Sequence, residues 1–212
     1  MQWEQLQSVL PVIAKRHTED ESLNTERKKI LPYREELLRR IPVDKYREAA
    51  VLVLLYPVDG QTETVLIERN VYDGVHSGQI AFPGGKKEVF DKDLSITALR
   101  ETEEELGVDS GKIHIIRPLS AVKVPVSRYE VTPYLGYMNE PPRFVPDLSE
   151  VQNVLKVPFD FILNEKWRVE YKIYGGKQYP VFYLPFKGYK IWGATAMVIA
   201  ELRDLFRKHA DF

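Results

Sequence analysis

The glycine pair Gly84-Gly85, standing ahead of the acidic run Arg100-Glu101-Thr102-Glu103-Glu104-Glu105-Leu106-Gly107-Val108, constrains this chain more than any other segment. After Phe82-Pro83 the two glycines let the backbone turn sharply and come close to a bound ion or phosphate with no side chain between. Asp93 or Ser95 can cap the helix that follows, and Gly107 can stop it. On that helix residues three and four apart share a face, so Glu101, Glu104 and Glu105 can converge on one point. Acidic runs on helices are ordinarily solvated faces, and glycine pairs are common in loops. Ionised carboxylates this close, however, repel one another and weaken the helix unless a cation neutralises them. Oxygen-only ligands suit Mg²⁺ or Mn²⁺, and Glu101, Glu104 and Glu105 are the expected ligands.

The surrounding pattern is of strands. Ala49 to Tyr56 is continuously apolar, as in a strand covered on both faces, and the Asp59-Gly60 turn joins it to a second strand, Thr64 to Arg69. Beyond the acidic helix, segments 113–116, 119–122, 131–137, 151–157, 169–174 and 180–184 also read as strands. A closing helix from Gly193 to Arg207 carries Ala196, Ile199, Leu202 and Phe206 on one stripe. Ahead of the strands, residues 1–16 form a helix that Pro11 is expected to kink or divide, His17 to Lys29 reads as a polar linker, and Tyr33 to Arg40 as a short helix. The expected organisation is therefore an N-terminal helical extension, 1–48, and an α/β domain with a mixed sheet, 49–212.

Composition narrows the function. A chain of 212 residues with 44% hydrophobic content buries a substantial core in one domain. The formal charge of −1 provides no global basic field, so nucleic acid is not an expected partner and a polyanion must be drawn by metal and local cations. There is no cysteine, no N-terminal apolar leader pattern and no run of eighteen apolar residues, which points to a soluble cytoplasmic protein without membrane association.

The acidic segment resembles the signature of the Nudix family of metal-dependent pyrophosphate hydrolases, G-x5-E-x7-R-E-U-x-E-E-x-G-U, where U is aliphatic. Arg100, Glu101, Glu104, Glu105, Gly107 and Val108 fall in register, with Thr102 at an aliphatic position. The first half departs: Asp91 stands for the glutamate, and the turn is one residue longer. The coenzyme A pyrophosphatase branch is similar in that lengthened turn, in the run Thr97-Ala98-Leu99-Arg100-Glu101, in Leu66-Ile67-Glu68-Arg69, in His76-Ser77-Gly78-Gln79-Ile80-Ala81-Phe82-Pro83-Gly84-Gly85, and in Trp192-Gly193-Ala194-Thr195. Asn70 and Gly74 depart from the branch, which has serine and a basic residue there.

The resemblance implies an α/β/α sandwich and hydrolysis of the diphosphate of coenzyme A or acyl-coenzyme A to 4′-phosphopantetheine, free or acylated, and 3′,5′-ADP. ADP-ribose or a nucleoside diphosphate sugar is the alternative substrate, and a non-catalytic nucleotide sensor the alternative class. It adds the Gly85 carbonyl to the metal shell and gives Arg100 an acidic partner. Arg69, His76, Gly78, Gln79, Gly84 and Gly85 are assigned to the substrate. His76 has no second histidine at ligand spacing, so it reads as a structural or substrate-contacting residue rather than a zinc ligand. The general base is Glu101, Glu104 or, from outside the motif, Glu150. Asp91 and Glu88 are expected to cap or solvate the turn. Lys86, Lys87, Lys123 and Arg128 are further cations near the mouth, while the aromatic residues at 171, 174, 179, 182 and 183 suit a core more than an adenine. A homodimer stays open, with residues 1–48 as its candidate segment.

Overall fold

A computed structural model describes residues 1–15, 25–30, 43–70, 78–174 and 176–207. The continuously apolar run becomes β1 (Arg47–Val58), the spine of the main sheet. It pairs antiparallel with β2 (Gln61–Arg69) across Asp59 and Gly60, whose φ values of 48° and 76° are those of a two-residue hairpin turn. On its other side it runs parallel to β7 (Tyr129–Tyr137). β3 (Ile80–Ala81) and β8 (Val151–Pro158) pair with β2, and β4 (Gly84–Lys86) pairs with β1. β5 (His114–Pro118) and β6 (Val122–Val124) pair with β7, completing an eight-stranded mixed sheet. A second, antiparallel sheet contains β9 (Arg168–Tyr174), β10 (Lys177–Phe186) and β11 (Tyr189–Trp192), with β10 in the middle.

Helices cover both faces of the main sheet. Val53 and Leu55 of β1 enter one core with residues of α1 (Trp3–Ala14), α4 (Phe159–Asn164) and α5 (Gly193–Arg207). Leu52, Leu54 and Tyr56 point the opposite way, into a core with Ala98 and Leu106 of α3 (Leu94–Leu106). Alternate residues of β1 thus meet helices on opposite sides, so every position from Ala49 to Tyr56 is apolar. The arrangement is an α/β/α sandwich. No described helix is long and apolar enough to cross a membrane.

Several expectations need correction. α1 runs through Pro11 unbroken. Pro11 and Gln7 both face solvent, so water can serve the Gln7 carbonyl left without its helical donor. The end of the expected linker, through Lys29, instead belongs to α2 (Thr25–Ile30), whose charges hide its packing from an apolar pattern. Its Arg27 Nη1 meets Glu201 at 2.7 Å, and its Glu26 amide donates to Asp204 at 2.7 Å, so α2 covers the polar side of α5 and buries that helix nearly all round. The strand expected at 119–122 begins only at Val122, since the Ser120 amide donates to Glu201 at 2.9 Å instead of to a ladder. β3, β4, β11 and α4 add to the elements expected from the sequence, and the helix expected over 33–40 lies outside the described residues.

Candidate active site

The glycine pair is a strand rather than a free turn: Gly84 lies opposite Val51 and Gly85 opposite Ala50. A Cβ on Gly84, where φ is 145°, would stand 2.2 Å from the Ala50 carbonyl oxygen. One on Gly85 would stand 2.4 Å from Glu101 Oε2, so the absent side chain is what admits the carboxylate of α3. α3 is started by Asp93, which accepts from the Ser95 and Ile96 amides at 2.8 and 3.2 Å, and it stops at Gly107. These two elements bring Gly84, Gly85, Glu101 and Glu105 together.

Each acid of α3 has a different setting. Glu105 is buried and accepts from the Gly84 amide at 2.7 Å and from Arg69 Nη1 at 3.2 Å. Burial pushes its carboxyl up to about 7, against the opposing pull of Arg69 and the Gly84 amide and with further upward pushes from Glu101 and Glu150. Glu101, also buried, is raised first by burial and then by Glu104 and Glu150, while Arg100 lowers it. Glu104 is exposed. Arg100 Nη1 bridges the two, 2.9 Å from Glu101 and 2.8 Å from Glu104.

Asp91 proves more deeply engaged than a turn cap. It does cap, accepting from the Glu88 amide at 2.9 Å, but it is buried and takes Arg100 Nε and Nη2 at 3.1 and 3.0 Å together with the Thr97 hydroxyl at 2.9 Å. The guanidinium and the other donors hold the Asp91 carboxyl well below the usual range, and Asp91 in turn raises Arg100. The lengthened turn thus returns its acid to the arginine that orders two of the helix carboxylates.

Glu150 reaches the site through a loop fastened at both ends. The Asp147 amide donates to the Glu105 carbonyl at 3.1 Å, and the Asn70 amide to the Glu150 carbonyl at 3.0 Å. The exposed Glu150 then acts electrostatically on both Glu101 and Glu105. Asn70 Nδ2 also donates to the Leu148 carbonyl at 2.9 Å, so this departure from the branch serves to dock the loop. Arg69 is taken up by Glu105 and, at 3.4 Å, by the Gly84 carbonyl. Gly78 and Gln79 lie beside it, the Arg69 amide donating to the Gln79 carbonyl at 3.1 Å, while His76 lies outside the described residues. Lys86 and Lys87 pair with Glu88 and Glu48 at 2.8 and 3.1 Å and line a cleft of about 520 Å³ with Lys45, Tyr46, Arg47 and Tyr129. Of the aromatic residues considered for adenine, Tyr179 is buried and Tyr171 exposed. Thr195 closes the motif that begins at Trp192, and its hydroxyl donates to the Ile80 carbonyl at 2.9 Å and ties α5 to β3, close in sequence to the glycine pair.

The NUDIX domain model matches residues 46–154, which span β1 through the acidic helix to the loop of Glu150. The chain belongs to the Nudix family. It is 33% identical over 165 residues to Nudix hydrolase 15, mitochondrial, of Arabidopsis thaliana, covering 73% of this chain and 57% of that protein. It spans less than two thirds of the length of the plant relatives it matches. To the uncharacterized Nudix hydrolase NudL of Pectobacterium atrosepticum it is 32% identical over 164 residues, covering 76% of this chain and 83% of that one. The fold is also similar to that of RenU, a Nudix hydrolase from M. smegmatis, at a TM-score of 0.53 and 17% identity over 80% of this chain and 91% of the other.

Nudix hydrolases generally need divalent metal ions, and the donor set here fits one. Among the described residues no group of three or more acids, histidines or cysteines is already gathered as a metal site. The chemistry of the donors is nevertheless that of a cation site: Glu101 and Glu105 are buried acids raised by burial and by neighbouring carboxylates, and a positive group, Arg100 Nη1, stands between Glu101 and Glu104. A hard divalent cation would supply the same charge to oxygen donors.

Proposed function

We propose that this Nudix protein is a divalent-metal-dependent pyrophosphohydrolase that cuts coenzyme A or acyl-coenzyme A at its diphosphate, releasing 4′-phosphopantetheine, free or acylated, and 3′,5′-ADP. The observation that carries the hydrolase reading is the meeting of the α3 carboxylates with β4, where Gly85 leaves room for Glu101 and the Gly84 amide grips Glu105. Glu101, Glu104, Glu105 and the Gly85 carbonyl would hold Mg²⁺ or Mn²⁺. When bound, such an ion neutralises phosphoryl oxygens and acidifies a coordinated water. Glu150, exposed beside Glu101 and Glu105, is the proposed base: it takes a proton from the water that attacks phosphorus as the bridging P–O bond breaks. Arg100, anchored by Asp91, orients Glu101 and Glu104, and Arg69 orients Glu105. Gly78, Gln79 and His76 belong to the substrate side of this reading, and the cations of the cleft beside Gly85 suit a further phosphate.

The coenzyme A assignment rests on the motifs around Arg69, Gly78-Gln79 and Trp192 to Thr195. Product analysis after incubation with coenzyme A, 3′-dephospho-coenzyme A, ADP-ribose and nucleoside diphosphate sugars tests it. The expected result is the highest kcat/KM for coenzyme A, with a clear loss on removing the 3′-phosphate. A preference for ADP-ribose overturns the substrate while keeping the reaction class, and no cleavage of any diphosphate in Mg²⁺ or Mn²⁺ favours the sensor.

A further inference from the structure

We propose that the free edge of β9 forms a symmetric dimer, in which β9 pairs antiparallel with β9 of a second copy of this chain, centred on Tyr171. β9 is an edge strand, and among the described residues no strand pairs with its outer side. Its register with β10 sets Tyr174 opposite Lys177 with two residues between them. At that spacing the first residue's carbonyl accepts from the fourth residue's amide. Backbone groups alternate in direction along an antiparallel strand. Arg168, Glu170, Lys172 and Tyr174 therefore direct theirs to β10, and Val169, Tyr171 and Ile173 direct theirs outward. These last three residues are 43%, 66% and 68% exposed.

Edges of this kind are ordinarily blunted by proline, a bulge or charge. β9 has no proline, and its pairing with β10 runs without a register shift. Its charges match themselves under a two-fold axis. With Tyr171 at the centre, which is the midpoint of the strand, each outward-directed residue meets another: Tyr171 meets Tyr171, and Val169 meets Ile173. Those are the hydrogen-bonded pairs of the new ladder. Glu170 then falls opposite Lys172 of the second copy, at the non-hydrogen-bonded positions where side chains lie closest. Both groups are already ordered within one chain, Glu170 by Lys190 and by Lys172 at 3.5 Å, and Lys172 by the Trp192 ring at 4.2 Å. A foreign extended peptide would need only the free edge. The match of strand midpoint, outward backbone groups and opposite charges about one residue selects a second copy.

Sedimentation equilibrium of the full chain over a range of concentrations tests this. The wild type is expected to approach twice the 24.6 kDa chain mass. Tyr171→Pro removes an outward amide without taking a bond from the β9–β10 ladder, so it should keep the wild-type circular dichroism and weaken the dimer about tenfold or more. Glu170→Lys sets lysines opposite each other and should also weaken association, while Glu170→Lys combined with Lys172→Glu restores opposite charges and should recover it. A wild type that stays at the mass of one chain overturns the proposal, as does a dimer indifferent to Tyr171→Pro and to Glu170→Lys. Loss by Glu170→Lys without recovery in the double variant overturns the register centred on Tyr171.

Discussion

Burial decides what each acid of the helix can do. Glu105 has its carboxyl pushed up to about 7 from an ordinary 4.5, so between those values the folded chain holds a proton that the unfolded chain has released. Its contribution to the metal-free protein is full below the lower value and is lost as pH rises through the upper one, by up to about 3 kcal/mol. Saturating Mg²⁺ should cancel that decline, and thermal melts across this range with chelator or Mg²⁺ measure it. Glu105→Gln should flatten the metal-free slope, and both Glu105→Gln and Glu104→Gln should lower kcat at least about a hundredfold while remaining folded. Near-normal turnover of both variants in saturating Mg²⁺ would remove these acids from the proposed metal site. Asp91→Ala belongs to a different class, since it strips a buried carboxylate from Arg100 and should cost about 3 kcal/mol of stability. Its lowered carboxyl stabilises the fold above the ordinary 3.8 and loses that effect as pH falls, so the variant's deficit in melting temperature should shrink in acid. Its loss of kcat at saturating Mg²⁺ should be smaller than that of Glu104→Gln, because Asp91 reaches Glu101 and Glu104 through Arg100.

Between elements, the pairing of β4 with β1 separates two neighbouring glycines by what surrounds them. A methyl on Gly84 meets backbone, 2.2 Å from the Ala50 carbonyl oxygen and 2.5 Å from Val51 Cα, which cannot give way. A methyl on Gly85 meets first the carboxylate at the end of the Glu101 side chain. Gly84→Ala should therefore lower the melting temperature sharply, whereas Gly85→Ala should melt near the wild type and lose kcat because Glu101 is displaced; equal melting temperatures would refute the difference. The sequence reads well where one local rule acts alone. β1 is apolar at every position from Ala49 to Tyr56 because two cores claim it, the Asp59-Gly60 hairpin follows from turn chemistry, and α3 begins at an aspartate and ends at a glycine. It reads poorly where the partner is remote. α2 looks like linker because the Glu26 amide and Arg27 Nη1 bond to α5, far along the chain, and β4 looks like a turn because its three residues gain a strand only from β1. At the site, the helix acids follow from spacing, and Glu150 could be named as an acid near a strand start. The pairing of Asp91 with Arg100 was hidden because the longer turn removes Asp91 from the motif's register, and the capture of Arg69 by Glu105 depends on β2 and α3 meeting in space.

Across the whole molecule, the first helix belongs to the same core that supports β1 and β2. Leu6 and Ile13 are fully buried, and with Trp3 and Leu10 they join Val53 and Leu55 of β1 and Leu66 of β2. The backbone adds two ties, the Trp3 amide donating to the Gly60 carbonyl at 2.8 Å and the Thr62 amide to the Met1 carbonyl at 3.0 Å, so α1 is fastened to the hairpin that leads into the site. An appended helix would melt separately and leave the strands unaffected. A helix sharing their core must melt with them, because a cavity left at one side chain is a cavity for every element around it. Leu6→Ala should accordingly lower the midpoint of a single cooperative transition by an amount equivalent to about 2–5 kcal/mol, and far-ultraviolet circular dichroism and aromatic fluorescence should report the same midpoint. A variant whose main transition stays at the wild-type temperature while a small helical signal melts early would show that α1 lies outside the cooperative unit.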